Sequence, residues 1–101
     1  MNKSELIDLV AFQAGFTKKD AELLLNTYLK TITQQLASGE KVQLSGFGTF
    51  DLKVREPRVG RNPHTKEPIE IPATVIPVFS PSKQLREKVA NDAAWLLTEE
   101  E

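Results

Sequence analysis

The sequence predicts an α+β fold: a helical hairpin, a three-stranded antiparallel sheet carrying a long protruding β-arm, and a C-terminal helix. Three observations predict it. Apolar residues recur at helical spacing as far as Gly39, then alternate as in strands from Val42 to Val54. Residues 55–77 hold five of the six prolines with little apolar material. A last apolar run, Val75, Ile76, Val78 and Phe79, returns as a strand and precedes a short helical pattern.

The first element starts at Asn2, which with Glu5 three residues on has the layout of a capping box. Leu6, Leu9, Val10 and Ala14 follow at helical spacing, and Gly15 is a left-handed stop. Thr17 begins a second helix with Asp20 in its first turn, near the positive end of the dipole. Ala21, Leu24, Leu25, Tyr28, Leu29, Ile32 and Leu36 form its stripe, and Gly39 closes it. Phe12 falls off the stripe of the first helix.

Val42 and Leu44 alternate with Lys41 and Gln43, and Phe50, Leu52 and Val54 with Asp51 and Lys53. Ser45-Gly46-Phe47-Gly48 between them is expected to be a tight turn. A phosphate-binding loop would need a Lys-Ser/Thr pair leading into a helix, and here a strand follows. The proline-rich stretch cannot build a core, and proline suits edge strands. An exposed two-stranded arm bent back at Asn62-Pro63-His64-Thr65 satisfies both constraints. The closing helix runs from about Ser82 through Ala90, with Leu85 and Val89 expected inward.

The composition is that of one globular domain: 101 residues, 40% hydrophobic and 27% charged. There is no cysteine, which excludes disulfides and thiolate metal sites. The opening Met-Asn-Lys-Ser-Glu lacks a secretion pattern and no apolar run approaches ~20 residues, so the expected location is the cytoplasm. No nucleophile–histidine–acid set, metal-ligand cluster or cofactor loop is visible, so no enzyme, cofactor, metal or small-molecule substrate is expected. His64, the single histidine, has no second ligand beside it.

The net charge of −1 conceals a segregation. Residues 53–86 carry Lys53, Arg55, Arg58, Arg61, Lys66, Lys83 and Arg86 against three glutamates, for +4. Residues 87–101 carry −4. Binding follows the local field rather than the total. At ~3.3 Å per residue Arg55 and Arg61 lie roughly 20 Å apart, a few phosphates' distance on a duplex. Arginine suits the narrow, negative minor groove, and Pro63 is a compact wedge with no N–H to leave unpaired in a base step. Basic groups on a hairpin can serve solubility alone, and Asn-Pro opens many turns. Their combination on a coreless arm points to a partner that orders it.

Gly60-Arg61-Asn62-Pro63-His64-Thr65-Lys66-Glu67 resembles the arm-tip signature of the HU and integration host factor family of bacterial histone-like DNA-bending proteins. Val42 through Phe50 resembles its saddle-sheet signature. Met1 through Leu6, Thr17 through Ala21 and Ile71-Pro72-Ala73 match in order and spacing. The likeness covers residues 1–90: helical hairpin 1–39, saddle sheet 40–54 and 74–79, arm 55–73 and helix 82–90. Residues 91–101 form an acidic and apolar extension.

The resemblance implies an intertwined dimer with Leu29, Ile32, Leu36, Leu44, Phe47, Phe50 and Phe79 in its core. It implies minor-groove binding of double-stranded DNA, largely without sequence specificity, by Lys53, Arg55, Arg58, Arg61, Asn62, Pro63, His64, Lys66, Lys83 and Arg86, with Pro63 intercalating. Bent, nicked or distorted DNA is the expected preference, the dimer a homodimer or a heterodimer with a paralogue, and the nucleoid its place. Lys66 stands where the family usually has glycine. Ser80 stands where the approach to the last helix usually begins with lysine. Trp95, Leu96 and Leu97 in the extension are expected to continue the helix and cover apolar body surface near Phe12, with three terminal glutamates opposing its dipole. The alternative is an assembly module that kept the fold with weak DNA binding.

Overall fold

The computed structural model describes residues 1–99. It contains α1 (Lys3–Ala14), α2 (Lys18–Ala37), β1 (Val42–Leu44), β2 (Gly48–Arg55), β3 (Arg58–Arg61), β4 (Pro68–Ile71), β5 (Thr74–Pro81), α3 (Lys83–Asp92) and α4 (Leu96–Glu99). The chain divides into two compact units, Met1–Ser38 and the residues from Gly39 onward.

The first unit is the helical hairpin. Asn2 Oδ1 accepts from the Glu5 N–H at 2.9 Å, and Thr17 Oγ1 accepts from the Asp20 N–H at 3.1 Å. These caps satisfy N–H groups that each helix leaves unpaired. Gly15, at φ 72°, turns the chain out of α1, and the Phe16 N–H closes on the Ala11 carbonyl at 3.0 Å. Asp8 and Lys18 form an ion pair at 3.3 Å between the helices. Ile7, Ala11 and Ala21 are the buried apolar residues, with Leu25 packed on them. The α2 stripe is therefore in place but largely uncovered: Leu24, Tyr28 and Leu29 are exposed, and Ile32 and Leu36 half-buried. Phe12 stands at 86% exposure.

In the second unit β1, β2 and β5 form one antiparallel sheet in that order. The Phe47 N–H donates to the Leu44 carbonyl at 3.0 Å across the tight turn, and Gly46 takes φ 83°. Gly48 has a different reason. A Cβ there would lie 2.5 Å from Phe79 Cζ and 2.7 Å from the Ser80 carbonyl oxygen. The bare backbone lets the Phe79 ring lie over β2, 4.9 Å from the Phe50 centroid and 5.5 Å from that of Phe47. The Ser82 N–H donates to the Phe47 carbonyl at 2.9 Å, tying the start of α3 to the same turn, and Ser82 Oγ caps that helix through the Leu85 N–H.

Two expectations for the C-terminal region are corrected. Val89 is exposed, so only Leu85 of the pair is inward in the chain. The helix also does not continue. It ends at Asp92, and Ala93 through Trp95 form a turn before the short α4. Past the break the Leu96 and Leu97 N–H groups bond three residues back, to Ala93 and Ala94, rather than four, so the chain there is wound more tightly than an α-helix. Trp95 is 56% exposed. Of the three terminal glutamates, Glu100 and Glu101 lie outside the described residues.

Candidate nucleic-acid interface

The arm grows out of the body sheet without a change of register. β2 and β5 pair from Gly48↔Pro81 to Arg55↔Thr74, and β3 and β4 pair from Arg58↔Ile71 to Arg61↔Pro68. Each step outward on one strand meets one step on the other, so no bulge intervenes. What interrupts the ladder is Glu56-Pro57 opposite Pro72-Ala73. Two prolines that face each other remove two donors, and pairing lapses there. The result is a gap of two unpaired residues on each strand between two ladders in one register. Pro77 is tolerated because β5 is an edge strand.

Beyond the gap, Gly60 makes room for a neighbour, since a Cβ there would lie 2.8 Å from Ile71 Cδ1. A glycine inside a strand signals such an approach, so this was legible in principle. At the tip Asn62 pairs with Glu67, its N–H donating to the Glu67 carbonyl at 2.9 Å. The Lys66 N–H returns to the Asn62 carbonyl at 2.8 Å, with Lys66 at φ 61°. Asn62 Oδ1 accepts from the His64 N–H at 2.9 Å and the Thr65 N–H at 3.4 Å. Thr65 Oγ1 accepts from the Glu67 N–H at 3.4 Å, and Arg61 Nη1 donates to the Lys66 carbonyl at 3.2 Å. Lys66 therefore takes a left-handed conformation of the kind that usually favours glycine.

The ten predicted DNA-contacting residues fall into three groups. Lys53 and Arg55, two apart on β2, share a face, whereas Arg58 and Arg61, three apart on β3, stand on opposite faces. A single row of arginines is thus not what the strands make. Arg61, Asn62, Pro63, His64 and Lys66 gather at the tip, Pro63 exposed at its apex and Asn62 half-buried in the turn. Lys83 and Arg86 lie on the first turns of α3, where Lys83 faces Glu87 at 3.8 Å. Among the described residues none of Lys53, Arg55, Arg58, Arg61 or Lys66 is held in an ion pair. No group of three metal-ligating side chains occurs among the described residues. No helix among them is long and apolar enough to cross a membrane.

Each unit also leaves apolar residues uncovered. Leu29, Leu44, Phe47 and Phe79 are 46%, 39%, 48% and 40% exposed, while Ile32, Leu36 and Phe50 are half-buried. Within the hairpin unit Leu6, Val10, Phe16, Leu24 and Tyr28 line an open apolar cleft.

Comparison with known proteins covers most of this framework. A family model described as bacterial DNA-binding protein matches residues 1–90. The chain is similar to the DNA-binding protein HU of Thermotoga maritima, 54% identical over 88% of this chain and 99% of that one. It is similar to the integration host factor subunit beta of Alkalilimnicola ehrlichii, 47% identical over 88% of this chain and 90% of that one. Among solved structures, an Anabaena HU–DNA cocrystal superposes with a TM-score of 0.86 at 53% identity, covering 89% of this chain and 98% of that one. With the α+β fold, the exposed basic arm and its Asn-Pro tip already in view, the chain belongs to the bacterial DNA-binding protein family of HU and integration host factor.

Proposed function

We propose that this chain acts as a dimer that binds double-stranded DNA in the minor groove and bends it, largely without sequence specificity. The observation that carries the reading is the arm: four cations, with Lys53 at its base, free of ion pairs among the described residues, and a proline exposed at the apex of a hydrogen-bonded turn. Lys53, Arg55, Arg58 and Lys66 neutralise phosphates, Arg61, Asn62 and His64 line the tip, and Pro63 enters a base step. Lys83 and Arg86 meet the flanking backbone. The cost of unstacking is offset by the contacts a bent duplex makes along the protein. A DNA partner places the protein on the nucleoid in the cytoplasm, and distorted or nicked DNA, already partly unstacked, binds more tightly than linear duplex.

The dimer follows from the hairpin unit. Thirty-eight residues with three buried apolar side chains are too few for a self-sufficient core. Leu29, Ile32 and Leu36 of the hairpin unit and Leu44, Phe47, Phe50 and Phe79 of the second unit are the apolar residues that a second subunit covers, whether a second copy or a paralogue. Gel shifts on linear and nicked duplexes across a salt series test the whole reading. A dimer making ~6–10 phosphate contacts loses ~10³–10⁵ in affinity between 50 and 200 mM salt. A salt-insensitive complex, or no preference for the nicked duplex, overturns it. The exposed Trp95 and Leu97, beyond the family match, favour a second reading as an assembly module with weak DNA binding. Absence of any shift at low salt is the outcome that selects it.

A further inference from the structure

The tip is closed by more bonds than a hairpin turn needs, and one of them comes from a side chain outside the turn. Every backbone N–H from Asn62 through Glu67 is engaged inside the tip, Pro63 having none to offer. None of them is left to donate to a phosphate. Arg61 Nη1 adds a bond to the carbonyl of Lys66, the one non-glycine residue with positive φ among the described residues. That bond joins the last residue of β3 to the residue whose backbone conformation is the least favourable in the tip.

We infer that Arg61 is a positioning residue: its guanidinium clasps the Lys66 carbonyl and holds the turn that presents Pro63 as a prebuilt wedge. The inference rests on the reading that Pro63 enters a base step. A plain phosphate contact would draw on the charge of Arg61 alone. A clasp draws on where its donors point, and it is the one bond to the tip donated by a side chain of the strands. The planar fork of arginine leaves further N–H groups free to meet DNA while Nη1 stays on the carbonyl. The wedge is then shaped before DNA arrives, so little ordering remains to be done on binding.

The test uses the full chain and a nicked duplex with 2-aminopurine at the kinked step, whose fluorescence rises on unstacking. At saturating protein Arg61→Ala is expected to lose about half or more of the rise given by the wild type. Its salt slope should fall by only about 1–2, the loss of one charge per subunit. Lys66→Gly relieves the left-handed residue, so the double variant Arg61→Ala/Lys66→Gly is expected to regain most of the signal with one cation fewer. In the DNA-free protein, amide exchange at His64 and Lys66 should quicken about fivefold or more in Arg61→Ala. Unchanged exchange overturns the clasp whatever the DNA does. A full fluorescence rise in Arg61→Ala, or a double variant dimmer than the single one, also overturns it. A wild type that gives no rise, with exchange still quickened in Arg61→Ala, removes the wedge and leaves the clasp.

Discussion

Gly48→Ala is the substitution for which the structure fixes both the size and the cause of the damage. The new methyl would sit 2.5 and 2.6 Å from two carbons of the Phe79 ring and 2.7 Å from the Ser80 carbonyl oxygen. Ordinary carbon contacts are ~3.5–4.0 Å, so something must yield by about 1 Å. The oxygen belongs to the β5 backbone, opposite β2 in the ladder, and moves only if the two strands part. The ring is held between Phe47 and Phe50 and would leave both. Overpacking of this kind costs about 1–3 kcal/mol, and each aromatic pair adds ~0.5–1.5 kcal/mol. The sum is about 2–6 kcal/mol, a large share of the ~5–15 kcal/mol that holds a typical domain together.

Urea unfolding followed by circular dichroism, at one fixed protein concentration because subunit association contributes, measures it. Two other glycines serve as controls. Gly46→Ala meets nothing within 4 Å but keeps φ 83°, a strain of about 1 kcal/mol. Gly60→Ala meets only the far end of the Ile71 side chain, which can turn aside, and lies out on the arm, so global stability should change by less than about 0.5 kcal/mol. Gly48→Ala no worse than Gly46→Ala would refute the packing of Phe79 against β2.

Arg55→Ala should lower the slope of log affinity against log salt by about 1 per lost phosphate contact, hence ~2 per dimer, and an unchanged slope would mean that Arg55 meets no phosphate. Leu29→Glu puts a charge on the uncovered α2 stripe and should abolish the dimer in analytical ultracentrifugation; a dimer of unaltered affinity would place the interface elsewhere. Truncation after Ala90 removes an exposed Trp95 and the surface Lys88–Asp92 pair, so thermal stability should fall by less than about 1 kcal/mol. A larger loss would show that the extension is covered in the assembled protein.

Much of this molecule was legible because its signals are local. Asn2, Gly15 and Thr17 announce helix ends through their own side-chain chemistry, and alternation from Val42 to Val54 needs only neighbouring residues to be read. The arm was legible by what it lacks, since four prolines and so few apolar groups cannot form an interior. The faces of the arm were harder. Arg55, Arg58 and Arg61 look like a row in one dimension, yet strand alternation sends Arg58 and Arg61 to opposite sides. Interiors were least legible. Val89 has the spacing of an inward residue and the α2 stripe that of a core. The chain leaves most of that stripe exposed, and periodicity records the demand for burial without naming what meets it. The Arg61–Lys66 bond was likewise invisible, because it depends on a carbonyl direction set by one left-handed residue.

The shared register of body and arm restricts how such an arm can change in length. A residue inserted on the outgoing strand alone would leave every later pair out of step and force a bulge. One inserted on each strand would keep the pairing but turn Pro63 to the opposite side of the ribbon, away from whatever groove it had faced. Only two residues on each side, a step of roughly 7 Å along the strand, preserve both. The reach of the wedge is therefore quantised, and arms of this design should differ in length by matched, even increments.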